Sequence, residues 1–155
     1  GGMLPAMPPG LRQRRLFDYD YVCIARAGKG TPRALTRAAY CAAPHAVVSR
    51  SGDFEDFIER PLQQLRLRRN KVVSLSSTVA AARLVAQSDL IATVPRRAAG
   101  QLQELFALAC LDLPLRLPRV VSRMYWHERC HSDAANRWLR GLVELHLATD
   151  AAPQH

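Results

Sequence analysis

From residue 20 onward, short apolar runs alternate with stretches in which apolar residues recur every three or four positions. The runs at 21–25, 46–49, 71–75, 90–94, 108–113 and 121–126 are short and bounded by turn-forming residues, which predicts strands. Helical spacing predicts helices over 36–42, 54–65, 78–87 and 96–106, and a last one over 133–147. The order implies an α/β fold, a central mixed, mostly parallel sheet flanked by helices. In the 54–65 helix, Phe54, Phe57, Ile58, Leu62 and Leu65 form the apolar stripe. Glu55, Asp56, Glu59 and Gln63 form its solvated face, and Pro61 predicts a kink or early end. In the last helix Ala135, Trp138, Leu139, Leu142, Leu145 and His146 share one side that needs a partner surface, with Ser132 or Asp133 as N-cap.

Composition narrows the class. The chain has 155 residues, 48% hydrophobic and 23% charged, which is enough apolar material for one compact unit or two small lobes and excludes a multidomain enzyme. Residues 1–10, with three Pro, three Gly and no periodicity, read as a poorly ordered leader and linker, and such an opening reads as part of a longer protein. The formal net charge is +9, and 20 of the 22 cationic residues are Arg scattered along the chain, which favours anions in general rather than a dedicated nucleic-acid arm. No apolar run is long enough to cross a bilayer and no signal-peptide pattern opens the chain, so a cytoplasmic protein without membrane contact is expected. Cys23, Cys41, Cys110 and Cys130 are widely spaced, which fits reduced thiols.

Two junctions carry candidate chemistry. The strand at 46–49 runs into Ser49-Arg50-Ser51-Gly52-Asp53 and then into a predicted helix; the strand at 71–75 runs into Ser76-Ser77-Thr78-Val79 and a helix rich in small residues. The first N–H groups of a helix lack intrahelical acceptors and carry partial positive charge, so a carboxylate or phosphate is stabilised there. Ser51 or Asp53 acting only as a helix cap is the plainer alternative. If the strands are parallel neighbours, both junctions lie at the carboxyl edge of the sheet, where open α/β folds bind ligands. His127, Cys130 and His131 lack a fourth ligand at metal-site spacing, and the chain has no nucleophile elbow, phosphate loop or dinucleotide fingerprint. Neither a metal, a cofactor nor a catalytic residue is therefore expected. Trp126-His127, at a strand end, reads first as core packing and second as an indole offered to a cleft.

Arg15-Leu16-Phe17 through Tyr21-Val22-Cys23, Ser88-Asp89-Leu90-Ile91-Ala92-Thr93-Val94-Pro95, and Trp126-His127 followed by Asn136-Arg137-Trp138-Leu139-Arg140 together resemble LysR-type transcriptional regulators. The likeness is to the branch with the nodulation, naphthalene/salicylate and dinitrotoluene regulators. It implies a type 2 periplasmic-binding-protein-like sensing domain with its first lobe truncated: residues 1–14 leader and linker, 15–127 the second lobe with its crossover strands, 128–155 a segment and helix returning to lobe one. It implies an effector-sensing role without enzymatic activity. A small aromatic or carboxylated effector would be held by Ser49, Arg50, Ser51, Gly52, Asp53, Ser77, Thr78 and Val79. Aromatic-acid sensors of that branch commonly carry His near Gly52 and at Ser77, and this chain does not. The resemblance also implies a homodimer or homotetramer through the sensing domain, and DNA contact only through a helix-turn-helix outside this chain. A solute-binding lobe of a transport system shares the fold and is the alternative.

Overall fold

The computed structural model describes residues 8–28, 31, 34–49, 56 and 58–148. The chain divides into two compact units, one of Gly1–Tyr19 with Arg119–His155 and one of Asp20–Pro118. In the larger unit the elements are β2 (Tyr21–Arg26), α1 (Arg37–Ala42), β3 (Pro44–Val48), α2 (Glu59–Gln64), β4 (Asn70–Leu75), α3 (Thr78–Ala86), β5 (Ala92–Pro95), α4 (Arg96–Leu105) and β6 (Leu108–Leu111). The smaller unit contains β1 (Leu11–Tyr19), β7 (Val120–His127), a short 3-10 turn at Glu128–Cys130 and α5 (Ala134–Ala148).

All six predicted strands form. β2 lies between β5 and β6 and is antiparallel to both, and β3 pairs with β4 in parallel. A parallel bridge between His45 and Ile91, with 2.9 Å bonds from Ala46 N to Ile91 O and from Ile91 N to Pro44 O, sets β5 beside β3. The order across the unit is therefore β4-β3-β5-β2-β6, and β2 alone runs against the others. β2 shows why its run is continuously apolar: Val22 and Ile24 enter one core with Ala82, Val85, Ala99 and Leu102 of α3 and α4. Cys23, between them, enters the opposite core with Tyr40, Ile58 and Leu62. A strand covered on both faces has no solvated side to show as alternation. Burial pushes the Cys23 thiol up to about 12, helped by nearby Cys110, so it packs as a small apolar group.

Short α1 depends on its cap. The Thr36 side chain accepts from Ala39 N at 3.1 Å. Thr36→Ala is expected to destabilise the larger unit by about 1 kcal/mol in urea unfolding, and an unchanged midpoint would show that the cap contributes nothing.

Three expectations are corrected. Leu11–Arg14, expected within the linker, form the first half of β1. β1 buries little; it is held by an antiparallel ladder from Leu11↔His127 to Tyr19↔Val120, with an irregularity between Arg15 and Phe17. The helix expected from Phe54 starts only at Glu59. Phe54, Glu55 and Phe57 lie outside the described residues, and Asp56 is not helical: its Oδ1 accepts from Ile58 N at 3.0 Å, and its carbonyl from Glu59 N. Pro61 then falls in the first turn, where its missing N–H removes no intrahelical bond, and no kink is needed. In α5, Asp133 caps through Asn136 N at 2.8 Å as expected, but Trp138, Leu139 and Leu145 are 54–68% exposed. Of the expected side Leu142 is half-buried, together with Asn136, Arg140, Val143, Glu144 and Leu147, and Glu144 pairs with Arg14 of β1 at 2.5 Å.

Candidate functional site at the carboxyl edge of the parallel strands

Val48 pairs with Leu75 at the ends of β3 and β4, and Ser49 N donates to Leu75 O at 2.9 Å. Ser49 is buried there, while Ser76 and Ser77 immediately beyond β4 are exposed. Ser77 is extended, at φ −122° and ψ 127°, and its hydroxyl accepts from Ala80 N at 3.4 Å, making it the N-cap of α3. That bond uses the oxygen and leaves the hydroxyl proton to donate elsewhere. The Thr78 and Val79 N–H groups precede the first intrahelical acceptor, and Val79 is 53% exposed. The structure thus brings Ser49, Ser77, Thr78 and Val79 to one edge of two adjacent parallel strands. Arg50, Ser51, Gly52 and Asp53 lie outside the described residues.

The two junctions differ in their electrostatics. α3 brings a capped helix start directly to the edge. α2 does not: it begins six residues after Asp53, and Ile58 at its N-cap makes no side-chain cap bond. The helix start expected directly after Asp53 is therefore not the start of α2.

Beneath this half of the sheet lies a polar cluster that periodicity concealed. Arg69, its side chain 1% exposed, donates from Nη2 to Asp56 Oδ1 at 2.9 Å and to Glu59 Oε1 at 2.5 Å, and Lys71 Nζ approaches Glu59 Oε2 at 3.3 Å. Asp56 and Glu59, predicted on a solvated helix face, are instead turned inward. Burial holds the Asp56 carboxyl above its ordinary range against the pull of Arg69, whereas Glu59, with both cations, lies below its own. Tyr40 Oη and Thr93 Oγ1 are 2.8 Å apart, and His45 Nε2 is 2.7 Å from Tyr40 O with the two rings edge to face. His45 Nδ1 is buried without a hydrogen-bond partner among the described residues. No spacing rule marks Arg69, which reads in the sequence as one more member of the Arg66 to Arg69 charge run.

In the smaller unit, Trp126 is neither core nor free. Arg140 lies 4.8 Å over its ring and His131 stacks on it at 6.1 Å. His127 accepts from Arg129 N, and among the described residues no group of His, Cys, Asp or Glu could hold a metal. The adjoining depression of about 410 Å³ contains Arg14, already paired with Glu144, and Arg140, which donates to Cys130 O and His131 O.

Residues 2–148 match the model of the LysR substrate binding domain. The chain belongs to the LysR substrate-binding domain family. It is 34% identical over 150 residues to the HTH-type transcriptional activator NahR of Pseudomonas putida, a match covering 96% of this chain and 50% of the relative. Among solved structures, a probable transcriptional regulator from Pseudomonas aeruginosa is similar at a TM-score of 0.78 and 34% identity, covering 89% of this chain and 46% of that one. The regulatory domain of MexT, a transcriptional activator of the same organism, is similar at 0.78 and 29%, covering 92% and 68%. The larger unit is accordingly a lobe of the periplasmic-binding-protein-like fold of LysR effector domains. This LysR domain spans about half the length of the curated relatives it matches. These relatives are named transcriptional regulators rather than transport proteins or enzymes. No described helix is long and apolar enough to cross a membrane.

Proposed function

We propose that this LysR domain senses a small aromatic or carboxylated effector at the carboxyl edge of β3 and β4. The bond from Ser49 N to Leu75 O carries the reading, because it sets the end of β3 against the start of α3. A carboxylate there would accept from the Thr78 and Val79 N–H groups and the Ser77 hydroxyl, favoured by the helix dipole. Arg50, Ser51, Gly52 and Asp53 follow Ser49 directly and complete the proposed contact set. An effector alters regulation only by binding one conformation more tightly than another, and that differential affinity would shift the whole regulator between its states. The whole protein is proposed to act in the cytoplasm as a homodimer or homotetramer, contacting DNA through a helix-turn-helix outside this chain.

Both tryptophans, Trp126 and Trp138, belong to the smaller unit, so calorimetry rather than fluorescence is the fitting probe. Titration with benzoate, phenylacetate and succinate is expected to give saturable heat for at least one acid. Ser77→Ala, measured well below its melting temperature, should weaken that binding by about 2- to 10-fold, the worth of one hydrogen bond. Flat thermograms across the panel would refute the reading.

A further inference from the structure

On α5, Arg137, Arg140, Gly141 and Glu144 follow one another at three- and four-residue spacing and share one side of the helix, away from the exposed Trp138, Leu139 and Leu145. With Arg14 of β1 and Trp126 of β7 they line the depression of about 410 Å³, and all of them belong to the smaller unit. Three guanidiniums meet one carboxylate there, an excess of two positive charges. Arg14 donates Nη1 to Glu144, which uses one of its five N–H groups. Arg140 is fixed by the Cys130 and His131 carbonyls at 3.2 and 2.8 Å and by the Trp126 ring, none of which cancels its charge. The Arg137 guanidinium is exposed and has no hydrogen bond or ion pair among the described residues. Gly141 supplies the room: nothing lies within 4 Å of where its Cβ would be, so no close approach requires glycine at this helical position, where glycine is a poor helix former.

We propose that this depression is a binding site for a small phosphate dianion, free or as a monoester, with Arg137 as its principal donor. Guanidinium forks match phosphate oxygens with paired N–H bonds, and two excess charges match a dianion. The volume is that of a small-ligand site and exceeds bare phosphate, which leaves space for an organic substituent over Gly141. The site is independent of the effector edge, which lies in the other unit.

Trp126 lies in the depression and reports on it once Trp138, 68% exposed outside it, is replaced. In the full chain carrying Trp138→Phe, inorganic phosphate and glycerol phosphate are each titrated at low ionic strength and above neutral pH while Trp126 emission is followed, with circular dichroism confirming the fold of every variant. A saturable change is expected with at least one of them, and the tighter of the two tells free phosphate from monoester. On that background Arg137→Gln should weaken binding by about 10-fold, the worth of a hydrogen bond to a charged group. Arg116→Gln, which removes an exposed cation of the larger unit, should leave it unchanged. Gly141→Leu keeps every charge and favours the helix but fills the depression, so it should abolish saturation. The site is overturned if neither phosphate saturates, if sodium chloride at matched ionic strength gives the same change, if Arg137→Gln and Arg116→Gln weaken binding equally, or if folded Gly141→Leu binds undiminished.

Discussion

Arg69→Ala is expected to destabilise the larger unit by about 3–5 kcal/mol in urea unfolding at neutral pH. The guanidinium is nearly inaccessible and serves two carboxylates at once, Asp56 at 5% and Glu59 at 13% side-chain exposure. Without it, Glu59 keeps Lys71 at 3.3 Å, and among the described residues Asp56 keeps Ile58 N as its side-chain partner. A buried carboxylate stripped of its cation bears its desolvation penalty uncompensated, and this is why breaking such a cluster from one side is so much worse than losing a surface ion pair. Arg26 with Asp89, which are 54% and 86% exposed at 2.5 Å, is the internal control: Arg26→Ala should shift stability by less than about 1 kcal/mol. The double variant Arg69→Ala with Asp56→Asn should be less destabilised than the two single losses added together, because the stranded charge is gone. A loss below about 1 kcal/mol for Arg69→Ala would mean that the cluster is solvated and behaves like the surface pair.

The cluster also marks where sequence reasoning ends. Burial on both faces gives a recognisable signal, so the runs that became β2 and β5 were legible, and Asp133 was legible as one of two candidate caps of α5 because a helix start needs an acceptor. β1 gave no such signal: Arg12, Arg14 and Arg15 are exposed, and the strand exists because its backbone pairs with β7, a long-range partner that no local window can show. The start of α2 was misplaced because Asp56 binds Ile58 N and Arg69 in place of continuing a helix, and that choice depends on an arginine 13 positions away. For α5, apolar spacing picked out Trp138, Leu139 and Leu145, whereas the side that packs in this chain is organised by Glu144 on Arg14 and Arg140 over Trp126. At the candidate edge, Ser49 and the start of α3 were readable as a strand-to-helix pair. The later start of α2 was not readable, since it follows from the same buried charge network.

His45 should make the larger unit acid-sensitive over a window in which few carboxylates titrate. The imidazole is inaccessible, and its Nε2 lies 2.7 Å from Tyr40 O. With Nε2–H donating to that carbonyl the ring is neutral and Nδ1 is a bare lone pair; protonation would add an N–H there with no acceptor among the described residues. Burial therefore brings the His45 value down to about 4; the Tyr40 carbonyl and Glu59 oppose this and Arg69 adds to it. The unfolded chain titrates near 6.5. Because the folded value is the depressed one, the stabilising contribution is complete above about pH 6.5 and is lost progressively as pH falls towards 4, by on the order of 3 kcal/mol in all. Asp56, whose value is raised, contributes with the opposite sign and can only blunt this fall. Urea unfolding followed by circular dichroism at pH 7.5 and pH 5.0 measures the slope. His45→Phe keeps a ring beside Tyr40 but carries no titrating nitrogen, so it should begin less stable, having stranded the Tyr40 carbonyl at a cost of about 1–3 kcal/mol, and should lose the His45 part of the slope. If His45→Phe and the unaltered chain lose the same stability between those two pH values, His45 is reached by water in the folded state and the buried lone pair has no energetic consequence.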